Sequence, residues 1–142
     1  MPIEMIPGSN IIASGMTAER CRMEVVANNL ANTNSSGKPG EAYKRRIPVF
    51  QSVVNDSLSS NPASELGGVK VTSVAKDDTP GVRVYSPYNP NADGDGMIEM
   101  PNVSPISEMM DLITATRAYE ANLTAMKQAY DGAMKTVNLG KG

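Results

Sequence analysis

The sequence predicts a mainly α protein: long N- and C-terminal helices packed as a coiled coil, with a small β- and loop-rich insert between them. Two patterns predict it. Apolar residues recur at three- and four-residue spacing over residues 105–142 and, less regularly, over residues 1–34. The stretch between them, 35–104, holds seven of the 12 Gly and seven of the 10 Pro, which break long helices. Composition adds a third constraint. Leu, Ile, Val and Phe together number only 27 of 142 residues, and the apolar share of 40% is reached with Ala and ten Met. Those residues bury less area or pack less specifically than Ile and Phe. With a formal charge of only −2 the chain is core-poor but no polyelectrolyte, and it needs neighbours to complete its core.

In the N-terminal segment (1–34), Ile12, Met16, Glu19, Met23, Val26, Leu30 and Thr33 alternate by four and three, with Glu19 as the break. The segment closes on Asn28, Asn29, Asn32 and Asn34. Asparagine side chains compete for backbone hydrogen bonds and so mark a helix end entering a loop. Asn28 and Asn32 also lie one turn apart, a spacing suited to fixing register against another subunit.

Within the insert (35–104), Gly68-Val69-Lys70-Val71-Thr72 and Gly81-Val82-Arg83-Val84-Tyr85 alternate apolar with polar and predict two short strands. Ser52 to Ser64 predicts an exposed loop.

The C-terminal segment (105–142) carries the strongest pattern. Ser104-Pro105 predicts an N-cap followed by proline at the first helical position, and Gly140 a stop. Between them Met109, Leu112, Thr116, Tyr119, Leu123, Met126, Tyr130, Ala133 and Val137 form a heptad seam about 43 Å long. A second stripe of small residues (Thr114, Ala118, Ala121, Ala125, Ala129, Gly132) lies roughly 130° round, so the helix can pack on two sides. On a solvated face the same alanines serve simply as good helix formers. Chain ends at the core and chain centre at the periphery suit a tube whose wall is built of long helices.

The missing residues exclude most enzymes. Without His there is no Ser-His-Asp triad, Cys-His pair or imidazole metal site, and the lone Cys21 excludes an internal disulfide or CxxC site. Cys21 lies in the helical pattern and reads as a small packed hydrophobe. No catalytic residue or cofactor is expected. There is no basic stripe for nucleic acid, no apolar run of membrane-spanning length, and no basic-then-apolar start of the secretory type. Asn91-Ala92-Asp93-Gly94-Asp95-Gly96 has the opening of a calcium loop, with Asn91, Asp93 and Asp95 as weak candidate ligands. Its twelfth position is Asn102 where a bidentate Glu belongs, and Pro101 precedes it, so a tight turn is expected. A calcium-dependent extracellular binding module centred on Asn91–Asn102 is the rival reading.

SGMTAERCRMEVVANNLANTNS (14–35), with Tyr43-Lys44-Arg45-Arg46, resembles the N-terminal signature of bacterial flagellar rod and hook-family proteins. NPNADGDGMIEMPNV (89–103) and EMMDLITATRAYEANLTAMKQAYDGAMKT (108–136) resemble the C-terminal signature. With the short overall length, the segment 89–103 resembles the C-type proximal rod (FlgC) family in particular. The start MPIEMIPGSN departs from the uniformly apolar helix opening of that family. The resemblance implies a structural subunit of the basal-body rod, polymerising helically into a periplasm-spanning drive shaft. It implies export through the flagellar type III apparatus without a cleaved signal, with self and other rod subunits as partners. The expected assembly interface combines Met16, Met23, Val26, Asn28, Asn29, Leu30 and Asn32 with Met109, Leu112, Tyr119, Leu123, Met126, Tyr130 and Val137.

Overall fold

The computed structural model describes residues 6, 8–53 and 67–140. Helix α1 spans Ser9–Ala31, strands β1 (Arg46–Val53) and β2 (Gly68–Lys76) form one hairpin, β3 (Arg83–Tyr85) and β4 (Met97–Glu99) form another, and helix α2 spans Pro105–Leu139. The order α-β-β-β-β-α places two helices at the ends of the chain and a small antiparallel insert between them.

Both helix ends of α1 follow from local chemistry. Gly8 precedes the helix at φ +79°, a left-handed conformation that glycine adopts without a Cβ penalty. At the other end Asn32 donates from Nδ2 to the Asn28 carbonyl at 2.8 Å, and Thr33 donates to Leu30 O at 2.9 Å. Those side-chain bonds satisfy carbonyls that a further turn would have used. In α2 the sequence expectation holds: Ser104 is the N-cap, Pro105 opens the helix, and Gly140 caps its end. Gly140 does so in a right-handed conformation (φ −78°), donating its N–H to Thr136 O, without the left-handed turn usual for a glycine stop.

The helices pack antiparallel. Asn29 meets Glu108, Met23 meets Thr116, and Gly15 lies against Asn122. That register puts Ser9 level with about residue 128, so Ala129–Leu139 runs on beyond it. The least exposed stripe of α2 is Glu108, Leu112, Ala115, Tyr119, Asn122, Met126, Ala129, Ala133 and Val137. It keeps the expected seven-residue repeat but departs from the seam read from the sequence at alternate positions. Glu108, Asn122 and Ala129 replace Met109, Leu123 and Tyr130, while Ala115 is buried beside a half-buried Thr116 that still meets Met23. Small residues let backbones approach closely, and Glu108 and Ala115 are both fully buried. The bulkier neighbours are turned outward.

Each predicted strand exists, but in a different hairpin. β2 pairs with β1, from Arg46↔Lys76 to Val53↔Gly68, with a bulge beside Val49/Phe50 that leaves Thr72 as the extra residue. The Thr72 hydroxyl donates to the Val49 carbonyl at 3.1 Å. β3 pairs with β4, and Gly37 bridges to Glu99. The second predicted strand begins at Arg83 in place of Gly81. Ser52 and Val53, expected in a loop, close β1; the rest of the expected loop, from residue 54, lies outside the described residues.

The buried hydrophobic residues among those described are Ala18, Val25, Val26, Ala42, Ile98, Val103 and Ala115. None is aromatic or as long as Met. The packing core is small, as the composition requires.

Candidate functional site

Two features of the helix pair stand out against this thin core. The first is a stripe of bulky apolar side chains on the outside of α2. Met109 is 53% exposed, Leu123 50% and Tyr130 48%, and Ile106, Met110, Ile113, Met134 and Leu139 are exposed as well. Bulky residues outside, with Glu108, Ala115 and Asn122 placed inward among Leu112, Tyr119 and Met126, depart from the ordinary helix pattern.

The second is a polar node at the base of the pair. Asn29 is 1% exposed and Glu108 is fully buried. The Asn29 amide donates to Glu108 Oε2 at 2.9 Å and to the Arg46 carbonyl at 2.8 Å. Its oxygen accepts from Tyr43 Oη and from the Arg46 N–H, both at 2.9 Å. All four hydrogen bonds that an asparagine side chain can make are thereby used. Arg45 donates from Nε to Glu108 Oε1 at 2.5 Å and from Nη2 to Asp111 Oδ2 at 3.1 Å. The bond to Glu108 raises the Arg45 pKa, and burial raises that of Tyr43, so both remain donors. The Asn29 side chain is thereby saturated, and a cavity of about 270 Å³ lined by Arg45, Arg46, Glu108 and Asp111 lies beside the node.

A second buried carboxylate organises the insert. Glu99 accepts from Gly40 N at 2.5 Å, from Gly81 N at 3.0 Å and from Lys44 Nζ at 3.0 Å. Gly81 lies so close to the Met100 carbonyl that no side chain fits there. The two backbone N–H groups, with Lys44, hold Glu99 down to about 2 from an ordinary 4.5. A depressed carboxylate contributes stability above its unfolded pKa and loses it as pH falls. Acid unfolding of the insert should therefore develop between about pH 4.5 and pH 2. Glu99→Gln should lower stability at neutral pH and flatten that part of the profile, as read by thermal unfolding at stepped pH. An unchanged profile would show that the carboxylate does not hold these loops.

The Asn91–Gly96 segment is a turn held by its own chain. Asp93 Oδ1 accepts from Asp95 N at 3.0 Å and Met97 N at 2.8 Å, Asn91 Nδ2 donates to Ser36 O at 3.0 Å, and Gly96 sits at φ +73°. Among the described residues no group of three or more His, Cys, Asp or Glu is placed to hold a metal. Millimolar calcium should leave the melting temperature unchanged. A rise of several degrees, lost in Asp93→Ala, would revive the calcium-module reading.

The residues singled out from the sequence fall into four groups. Met16, Tyr119 and Met126 line a groove of about 310 Å³ between the helices, with Ala13, Thr17 and Arg20. Met23 accepts a hydrogen bond from Thr116, Val26 is buried, and Leu30, Leu112 and Val137 are half-buried. Asn28 is exposed and Asn32 half-buried, each bonded back to its own helix, while Asn29 is spent inside the subunit. Met109, Leu123 and Tyr130 face outward. Sequence reasoning singled out neither Glu108 nor Glu99, and quoted Tyr43 and Arg45 only as part of a signature. The available signals were an acid next to the first seam residue of the C-terminal helix and, far from it in sequence, the basic run Lys44-Arg45-Arg46.

The helix pair with an outward apolar stripe, an inserted β element and a buried polar node fits a structural subunit. Comparison with known proteins agrees. The model described as "Flagella basal body rod protein" matches residues 10–37, and "Flagellar basal body rod FlgEFG protein C-terminal" matches residues 95–139. Those spans contain nearly all of α1, β4 and α2. The chain is 39% identical over 144 aligned positions to the flagellar basal-body rod protein FlgC of Bacillus subtilis, covering 93% of this chain and 95% of the relative. It is 44% identical to FlgC of Aquifex aeolicus over 82% of each chain. To FlgC of Salmonella typhimurium it is 37% identical, over 93% of this chain and 95% of the relative. The chain belongs to the FlgC family of flagellar basal-body rod proteins.

Proposed function

We propose that the chain polymerises helically, with copies of itself and other rod subunits, into the proximal part of the drive shaft that transmits torque for motility. The observation that carries this reading is the outward stripe of α2. Medium and large apolar side chains from Ile106 to Leu139 lie exposed on the outward face of the helix. Burying such a stripe against neighbours supplies the apolar contact that a thin core lacks. Met109, Leu123 and Tyr130 meet neighbours directly. Met16, Met23, Val26, Leu30, Leu112, Tyr119, Met126 and Val137 hold the helix pair in register, and coiled-coil packing along the shaft belongs to the same reading. Asn28 lies exposed on α1 and Asn32 caps its end. The subunit reaches the rod through the flagellar type III export apparatus without cleavage of a signal. No helix among the described residues is long and apolar enough to cross a membrane.

The test is fractionation of basal bodies. The chain should co-purify with other rod subunits at its translated mass. Met109→Asp combined with Tyr130→Asp should remove it from basal bodies and stop swimming. Swimming cells whose basal bodies lack the chain would contradict the proposal.

A further inference from the structure

We propose that Asn29 is the fixed end of a splint: the β1–β2 hairpin is bound along α1 so that insert and helices turn as one rigid body. Three anchors join hairpin to helix. At the tip, the Ser14 hydroxyl accepts from Val69 N at 3.1 Å while donating to Ile11 O at 2.7 Å. Midway, the Arg22 guanidinium lies 4.9 Å over the Phe50 ring. At the base, Asn29 both accepts from and donates to the Arg46 backbone.

Ser14, Arg22 and Asn29 are eight and seven residues apart, which keeps them within about 80° of one another around the helix. From Ser14 to Asn29 the helix rises about 22 Å. β1 spans about 23 Å over its eight residues, so the two elements are matched in length. The hairpin lies close at its tip: a Cβ on Gly68 would stand 2.6 Å from the Ser14 hydroxyl oxygen.

The base anchor differs from the others because it is shared. The same Asn29 amide holds Glu108 of α2, which holds Arg45, whose N–H donates to Asn102 Oδ1 at 2.7 Å. Asn102 in turn donates to Asp77 O, next to the end of β2. One saturated side chain therefore connects α1, α2 and the start of β1. Rotation of the insert about the helices would break several buried hydrogen bonds at once, and a buried group left unpaired is costly. Asn29 thus acts as a positioning residue for the whole insert. The inference concerns a single chain and stands apart from the assembly reading.

The test is a distance distribution in the full-length chain carrying Cys21→Ser, with spin labels at Ser73→Cys on β2 and Gln128→Cys on α2. Both label sites are exposed. Pulsed dipolar spectroscopy should give one narrow distribution in this parent. Asn29→Ala should broaden it at least twofold while helical circular dichroism stays unchanged. Ser14→Ala, which frees only the tip, should broaden it less. Where Asn29→Ala loses its helical signal, Tyr43→Phe decides, since it removes one of the four hydrogen bonds and keeps the ring. A width equal to the parent's in folded Asn29→Ala, or in Tyr43→Phe, overturns the proposal.

Discussion

Leu123→Asp is expected to abolish rod assembly and swimming while leaving the single subunit folded. Leu123 is half exposed on the outer stripe of α2, flanked by Tyr130 one heptad on and Glu120 and Lys127 beside it. In the free subunit a carboxylate there meets water and costs little. In the polymer the exposed half of Leu123 becomes buried, and its loss removes about 1 kcal/mol of apolar transfer energy per copy. A carboxylate forced into the same dry contact costs several kcal/mol more. Because the defect recurs in every copy, the combined penalty is decisive. Lys127→Asp, on the polar part of the same helix, is the control and should swim, since exposed charges contribute little. Circular dichroism of the purified subunit, with swimming assays of both variants, checks the result. Equal swimming would show that this stripe is no assembly surface.

The second large effect is expected at Arg45. Arg45→Ala leaves Glu108 buried without its cation, and removing one partner of a buried pair typically costs 3–5 kcal/mol. Arg45 itself is partly exposed (27% for its side chain), so a reduced cost of about 2–3 kcal/mol is expected. That corresponds to a fall in melting temperature of roughly 8 °C for a chain of this size. Adding Glu108→Gln should recover at least half of the loss, because an amide needs no cation and can still accept from Asn29. Thermal unfolding of both single variants and the double variant reads the coupling. If the double variant is no more stable than Arg45→Ala alone, the buried charge is not what destabilises it.

Much of the helical architecture was legible because its signals are local. Ser104-Pro105 and Gly140 bound α2, and Asn28 to Asn34 mark the end of α1, through backbone chemistry that acts within a turn. The seven-residue repeat of α2 was legible too, but its azimuth was not. Ranking positions by apolar size chooses Met109, Leu123 and Tyr130. The close approach of α1 instead favours Ala115 and Ala129, with Glu108 and Asn122 hydrogen-bonding or packing between them. In a subunit that buries surface twice, once in folding and once in assembly, apolar size alone does not say which burial a residue serves.

The insert shows the opposite limit. Alternation revealed the first five of the nine residues of β2 and all three of β3, yet partner choice depends on residues tens of positions away. β1 contains Pro48 and begins with Arg46, and β4 is three residues long, so neither carries a clear period. The node was hidden for a related reason. Asn29 reads as one more helix-ending asparagine until Tyr43, Arg46 and Glu108 are brought around it, and only tertiary structure does that.

Assembly is expected to bury the outward stripe of α2 between subunits. Leu123→Cys in a Cys21→Ser background tests it by thiol labelling of the free subunit and of purified basal bodies. The thiol should react readily with a water-soluble maleimide in the free subunit and be strongly protected in the assembled rod, while Lys127→Cys stays more reactive in both. Equal labelling of Leu123→Cys before and after assembly would show that the stripe stays open to solvent in the rod.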